Sequence, residues 1–191
     1  MPLMKNKVRD LMMGIGYHEI MNYIMSSPDV LNAQMERDEP LITTGNPKSR
    51  KYSVLRNSLL PVLLEFTSMN QHADYPQKIF EVGDIVIPND ERETCVDQIP
   101  SVCGMTSDVK VNITNLLSEL GFLLRNLGLD NRFKFESVTN SDFINGRSAA
   151  IRIDGKVRGH FGEVSPKILT NFGIGYPVVA FELHLPRDMN W

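Results

Sequence analysis

The stretch "KIFEVGDIVI", Lys78 to Ile87, limits the choice of folds more than any other, because its β-branched and apolar residues fall at odd and even positions alike. A strand with one wet face alternates, whereas a strand apolar on both faces belongs inside a sheet covered from both sides. Pro88, Asn89 and Asp90 end it. The chain must therefore supply neighbouring strands and helices for both faces, and 191 residues suffice to bury such a core without disulfide staples.

The covering helices are legible. Met4, Val8, Leu11, Met12 and Ile15 recur at helical spacing with Lys5, Lys7, Arg9 and Asp10 opposite, and Gly14 and Gly16 stop the pattern. Ile20, Tyr23 and Ile24 then predict a strand closed by Pro28. A second helix is expected from an N-cap at Ser58 to about His72, with Pro61 in its first turn. Its Leu59, Leu60, Val62, Leu63, Leu64, Phe66 and Met69 cover roughly 220° of circumference, against ~100° for a one-sided helix. Either the helix is buried all round in its own core, or one face is kept for a partner. A third helix, capped by Ser107 or Asp108, carries Ile113, Leu116, Leu117, Leu120, Leu123, Leu124 and Leu127 and stops at Gly128. Between the charged Glu91 to Glu93 loop and that helix the sequence assigns no strand.

Short strand patterns fill the rest: Phe133 to Val138, Ala149 to Ile153, Val157 to Phe161 and Val178 to Leu185. Asp154-Gly155 signals a hairpin, but a strict two-residue turn would set Ile151 across from Arg158, so a bulge or longer turn is expected nearby. In the last strand Val179, Phe181, Leu183 and Leu185 share one face, and Glu182 and His184 the other. The fold class is α+β, an antiparallel sheet flanked by helices, in one domain spanning 1–191.

Chemistry is harder to find. A net charge of −3 gives no general attraction to polyanions, and Cys95 and Cys103 are too few for a disulfide framework, which points to a reduced, cytoplasmic setting. No apolar run reaches the length of a membrane span. His18, His72, His160 and His184 lie in different elements without a metal-binding spacing, and each reads as a surface or satisfied polar histidine. Glu81, Asp84, Glu163 and Glu182 sit on or beside strands, where ion pairs and backbone hydrogen bonds are the ordinary use. The loop "GNPKSRKYSVLRNSLLP" carries Lys48, Arg50, Lys51 and Arg56 with no acid, and reads either as a phosphate cradle or as a solvated turn.

Three stretches, "VRDLMMGIGYHEIMNYIMSSPDVL", "GNPKSRKYSVLRNSLLPVLLEFTSMNQHADYPQKIFEVGDIV" and "GRSAAIRIDGKVRGHFGEVSPKILTNFGIGYPVVAFELHL", resemble in order and spacing the catalytic-like module of the phenylalanyl-tRNA synthetase β subunit. The resemblance implies a class II synthetase fold, with motif 1-like residues 4–28, motif 2-like residues 56–87 and motif 3-like residues 157–185. It also implies a partner, the related α subunit, which does the catalytic work. Two of each chain would assemble to join phenylalanine to its tRNA with ATP and Mg²⁺. Tyr17, Gly16, Glu19, Tyr23 and Pro28 of the motif 1-like stretch, together with Arg56, Leu60, Val62, Phe66 and Met69, are the expected subunit interface.

Class II enzymes grip ATP with one arginine after the motif 2 strand and another at the motif 3 helix. Here Arg92 stands between Glu91 and Glu93, and the motif 3-like end offers Lys167, a point charge without the bidentate fork of arginine. The chain is therefore expected to be non-catalytic, with no catalytic, metal or cofactor-binding residue of its own, and the basic loop to hold no nucleotide. Lys48, Arg50 and Lys51 then stay hydrated, and Arg56 bridges an acid of this chain or of its partner. The alternatives are a divergent class II ligase using Arg152 or Arg158, and a tRNA-binding module. In the resembled β subunit further domains precede this module, so a start just before the motif 1-like helix points to a piece of a longer chain. The end soon after Leu185 resembles the shorter archaeal and eukaryotic-cytosolic type.

Overall fold

A computed structural model describes residues 2–185. The strand expected at Lys78 to Ile87 is β4, Gln77–Pro88, and it does lie inside a sheet. Its neighbours are β1, His18–Glu19, which runs parallel to it, and β5, Val96–Ser107, which is antiparallel. With β6 (Phe133–Ser137), β7 (Phe143–Ile153), β8 (Lys156–Val164) and β9 (Val178–His184) they form a seven-stranded sheet in the order β1-β4-β5-β9-β8-β7-β6. A separate ribbon pairs β2, Met25–Ser26, with β3, Val54–Leu55.

Both faces are covered. Helices α1 (Pro2–Gly14) and α3 (Ile113–Asn126) bring Val8, Met12, Leu116, Leu120 and Leu124 onto Phe80, Val82, Phe161, Phe181 and Leu183. On the other face α2 (Leu60–Met69), α4 (Pro166–Asn171) and a π-helical turn, Asp29–Ala33, set Leu31, Leu59, Leu63, Leu64 and Ile168 against Ile79, Ile85, Met105, Val178 and Ala180. Each of the Val, Leu, Ile, Met and Phe side chains among them contributes ~1.5–3 kcal/mol on burial. The alternation in β9 runs as expected, with Phe181 and Leu183 toward α3.

Several expectations are corrected. Strand β5 escapes the sequence pattern because Pro100, Ser101, Gly104 and Ser107 interrupt it, yet it pairs with β4 along its whole length, from Gln77↔Ser107 to Pro88↔Val96. Gly104 fits there because a Cβ would stand 2.6 Å from Phe181 Cε1. Ser107 thus ends a strand, and α3 is capped by Asn112, whose Oδ1 accepts from Thr114 N at 2.8 Å. Helix α2 begins at Leu60, and Ser58 does not cap it through its own side chain. Ile20 to Ile24 is not a strand. Those residues carry the chain from β1 to β2, with Ile20 N donating to Phe80 O at 2.8 Å and Ile24 O accepting from Arg56 N at 2.9 Å.

The β7–β8 hairpin turns on Asp154 and Gly155, both at positive φ (51° and 78°). Pairing runs Ile153↔Lys156 and Arg152↔Val157, then slips so that Ile151 faces Gly159. The slip is the expected bulge, and it keeps Ile151 in the core. In α2 the core of the chain itself takes most of the circumference, leaving Phe66 half-buried and Met69 exposed. Among the described residues no helix is long and apolar enough to cross a membrane.

Candidate functional site

A cavity of about 480 Å³ opens on the α2 side of the sheet, where β4, β8 and β9 meet the start of α2 and the loops around Arg37 and Asp142. Its chemistry follows from what each polar group is already doing. Helix α2 presents unpaired backbone N–H groups at its start, as every helix does. Glu182 of β9 fills that place: its Oε1 accepts from Leu59 N at 3.0 Å, and its Oε2 accepts from Leu60 N at 3.1 Å and from Ser58 Oγ at 2.7 Å. A carboxylate so placed caps the helix and complements its dipole. It also occupies the position an incoming phosphate would need.

The cations are committed in the same way. Arg37 makes a bidentate pair with Asp142, Nε to Oδ1 at 2.8 Å and Nη2 to Oδ2, with both side chains largely buried. Burial works against the Arg37 charge, but the Asp142 hydrogen bonds and charge outweigh it and hold its pKa above the ordinary value. Asn57 Nδ2 donates to Glu39 Oε2 at 2.7 Å. On β4 the wall is apolar, made of Ile85 and Ile87. Among the described residues, three carboxylates thus line the cavity against one guanidinium, which is engaged.

Arg56 is inside the molecule. It is 4% exposed and gives Nη1 to Glu81 Oε1 at 2.6 Å and Nε to Asp84 O at 3.0 Å. The other Glu81 oxygen accepts from Asn22 Nδ2 at 2.9 Å. The acid that Arg56 bridges therefore lies on its own chain, which corrects its expected place on a subunit surface. The remaining strand carboxylates are likewise in use, Asp84 with Lys5 at 2.6 Å and Glu163 with Arg147 at 2.6 Å. Arg92 pairs on the surface with Asp97 at 2.9 Å, Lys167 with Glu36 at 2.5 Å, and Arg152 with Glu136. None of these three lines the cavity. His160 and His184, separate in sequence, do meet there, and nothing in their spacing could have signalled it.

The other residues expected at an interface divide into two groups. Tyr17, Leu60 and Val62 are 3%, 2% and 4% exposed, so they serve this chain's core first; Tyr17 donates its hydroxyl to Glu119 Oε2 at 2.7 Å. Gly16 is at φ 88° in the turn after α1, and Glu19 accepts from Arg9 Nε at 2.5 Å. Tyr23, Pro28, Phe66 and Met69 come together on one surface. There Tyr23 (75% exposed) meets Tyr52 edge-on at 5.5 Å, beside Met21 and Met69. Two adjoining grooves of about 450 and 630 Å³ run across it and share Lys51, Glu65 and Met69.

Residues 3–185 match the family model described as the phenylalanyl tRNA synthetase beta chain CLM domain. The chain belongs to that family. This CLM domain is 36% identical over 179 residues to the phenylalanine–tRNA ligase beta subunit of Methanocaldococcus jannaschii, covering 93% of this chain and 32% of that protein. It is 39% identical over 180 residues to the beta subunit of Korarchaeum cryptofilum, covering 94% and 32%. The CLM domain chain thus spans about a third of the length of the relatives it matches. Its fold is similar to that of the pyrrolysyl tRNA synthetase PylSc of Desulfitobacterium hafniense, with a TM-score of 0.75 and 16% identity over 95% of this chain and 64% of that one. The class II synthetase-like architecture, an antiparallel sheet flanked by helices, is therefore that of this CLM domain. Its short motifs have structural duties. Ser49 caps the turn at Arg50–Tyr52 by accepting from Lys51 N at 3.2 Å, and Ser148 Oγ donates to Val138 O at 2.8 Å.

Proposed function

We propose that this domain is a non-catalytic assembly element of a phenylalanine–tRNA ligase beta chain. It pairs with the catalytic alpha subunit, two of each, in the cytoplasm, and the alpha subunit uses ATP and Mg²⁺ to attach phenylalanine to its tRNA. One observation carries the reading: the cavity guanidinium of Arg37 and the neighbouring Arg56 are locked by carboxylates of their own chain, and Glu182 fills the start of α2. A triphosphate needs fixed cations that are free to face it, and here it would meet Glu39, Glu182 and an apolar Ile85–Ile87 wall. The residues present do not fit ATP. What the chain offers a partner is the Tyr23, Tyr52, Phe66 and Met69 surface, with Met21 at its rim, an apolar patch of the kind that marks a protein contact.

The test is co-purification with the alpha subunit followed by a pyrophosphate-exchange assay with phenylalanine. The complex is expected to exchange and the isolated chain to give background. Tyr23→Glu with Met69→Glu is expected to release the alpha subunit while leaving the melting temperature of the chain unchanged. Exchange by the isolated chain would return the reading to a divergent ligase, and tRNA retention at physiological salt without the alpha subunit would favour an RNA-binding module.

A further inference from the structure

Strand β6 forms one edge of the sheet, and its outer side is open. Arg132 O accepts from Asp154 N at 3.0 Å, and the pairing with β7 continues from Phe133↔Ile153 to Ser137↔Ala149. Hydrogen-bonded and non-hydrogen-bonded pairs alternate along an antiparallel ladder, so Lys134 and Glu136 turn their backbone groups toward β7, while Phe133, Phe135 and Ser137 turn theirs outward. Among the described residues nothing bonds those outward groups. A lysine on such an edge ordinarily discourages pairing. Lys134 is exposed, stands across β7 from Arg152, and has no carboxylate partner among the described residues. Two positions on, exposed Glu136 accepts from Arg152 Nε through Oε2, and its Oε1 has no donor among the described residues.

We propose that β6 is a docking edge for a second copy of this chain, paired antiparallel about a two-fold axis through Phe135. In that register Phe135 faces its own counterpart, Phe133 faces Ser137 of the second copy, and Lys134 faces Glu136 of the second copy. The outward N–H and C=O groups of Phe133, Phe135 and Ser137 then bond one another. The charged pairs fall at the non-hydrogen-bonded positions, where opposed Cα atoms are about 4.5 Å apart and side chains come closest. Opposite charges so placed attract, and like charges repel. Moving the axis to Lys134 or to Glu136 sets like charges face to face, and moving it to Phe133 sets Lys134 against Arg132. Charge therefore selects one register, and that register is self-complementary. Phe133 and Phe135, half-buried beside Phe161, gain cover from their counterparts on the same face.

The experiment is sedimentation equilibrium of the chain, with hydrogen exchange followed at low and high protein concentration. A reversible monomer–dimer equilibrium that salt weakens is expected. As dimer forms, the Phe133, Phe135 and Ser137 amides should exchange more slowly, while those of Lys134 and Glu136, already turned to β7, do not change. Glu136→Lys and Lys134→Glu are each expected to raise the dimer Kd by at least about tenfold, because like charges then oppose each other twice across the axis. Both positions are exposed, so the melting curves should stay close to that of the parent. An equimolar mixture of the two variants should associate as the parent does, since every opposed pair is then of opposite sign. Tyr23→Glu with Met69→Glu alters the separate surface assigned to the alpha subunit and should leave self-association intact, so loss of one contact is told apart from loss of the other. A chain that stays monomeric, single variants that dimerise as the parent does, a mixture that fails to recover, loss of the dimer on changing Tyr23 and Met69, or protection of the three amides only on adding the alpha subunit overturns the proposal.

Discussion

Arg56 occupies the space a side chain at Gly83 would need: a Cβ there would lie 2.1 Å from Arg56 Nη2 and 3.1 Å from Glu81 Oε1. The glycine of "FEVGD" and the arginine of "LRNSLLP" are thus two halves of one packing arrangement. Gly83→Ala is expected to destabilise the fold by ~1–3 kcal/mol through overpacking. In an Arg56→Ala background the same change should cost less. A double-mutant cycle read by urea midpoints checks the coupling, and additive effects would refute it.

Arg56→Met is expected to be more damaging, by ~3–5 kcal/mol, because it leaves Glu81 buried with only Asn22 as a partner. Adding Glu81→Gln to that variant should recover part of the loss. Arg56→Lys should rescue poorly, since an ammonium cannot serve Glu81 and the Asp84 carbonyl with the same fork. Denaturant unfolding of the three variants provides the comparison.

Glu182→Gln should lower stability by ~1 kcal/mol, since a neutral amide caps α2 less well than a carboxylate, and Glu182→Ala by up to ~2 kcal/mol. Hydrogen exchange gives the local readout. The Leu59 and Leu60 amides, which donate to Glu182, should exchange faster in both variants while amides in the β7–β8 hairpin do not change.

Burial pushes the Tyr17 hydroxyl far above the ordinary value of 10.0; Thr106 pulls it back, and Glu119, which accepts its proton, pushes it further up. An unfolded chain exposes an ordinary phenol, so above about pH 10 the unfolded state gives up a proton that the folded state keeps. The contribution is therefore complete below that pH and declines as pH rises past it. Tyr17→Phe should be less stable than the parent at neutral pH, and the gap should narrow steadily above pH 10 in parallel denaturation curves.

Elements built from periodic apolar residues were readable in the sequence: α1, α3, β4 and the two faces of β9 all follow their patterns. Strand β5 was not, because Pro100, Ser101 and Gly104 break its own pattern and it owes its regularity to β4 and β9 on either side. The site was harder still. Glu182 reads as a polar residue on a strand, and its role depends on an α2 terminus 122 positions away. Nothing local distinguishes Arg56 from the other cations of its loop, which stay on the surface, since burial is decided by where Glu81 lies. Tertiary proximity between distant segments made the site, and a single sequence carries little trace of it.

Strand β9 closes the described sequence yet sits at the centre of the sheet, joining β5 on one side to β8 on the other. While the chain is being synthesised, everything up to Tyr176 can emerge as two separate strand groups with no seam between them. Among the described strands β9 is the last to be made, and it zips the halves together and also brings the carboxylate that pins a helix made more than a hundred residues earlier. A nascent chain halted before Val178 would display both raw edges to whatever chaperone stands at the exit tunnel.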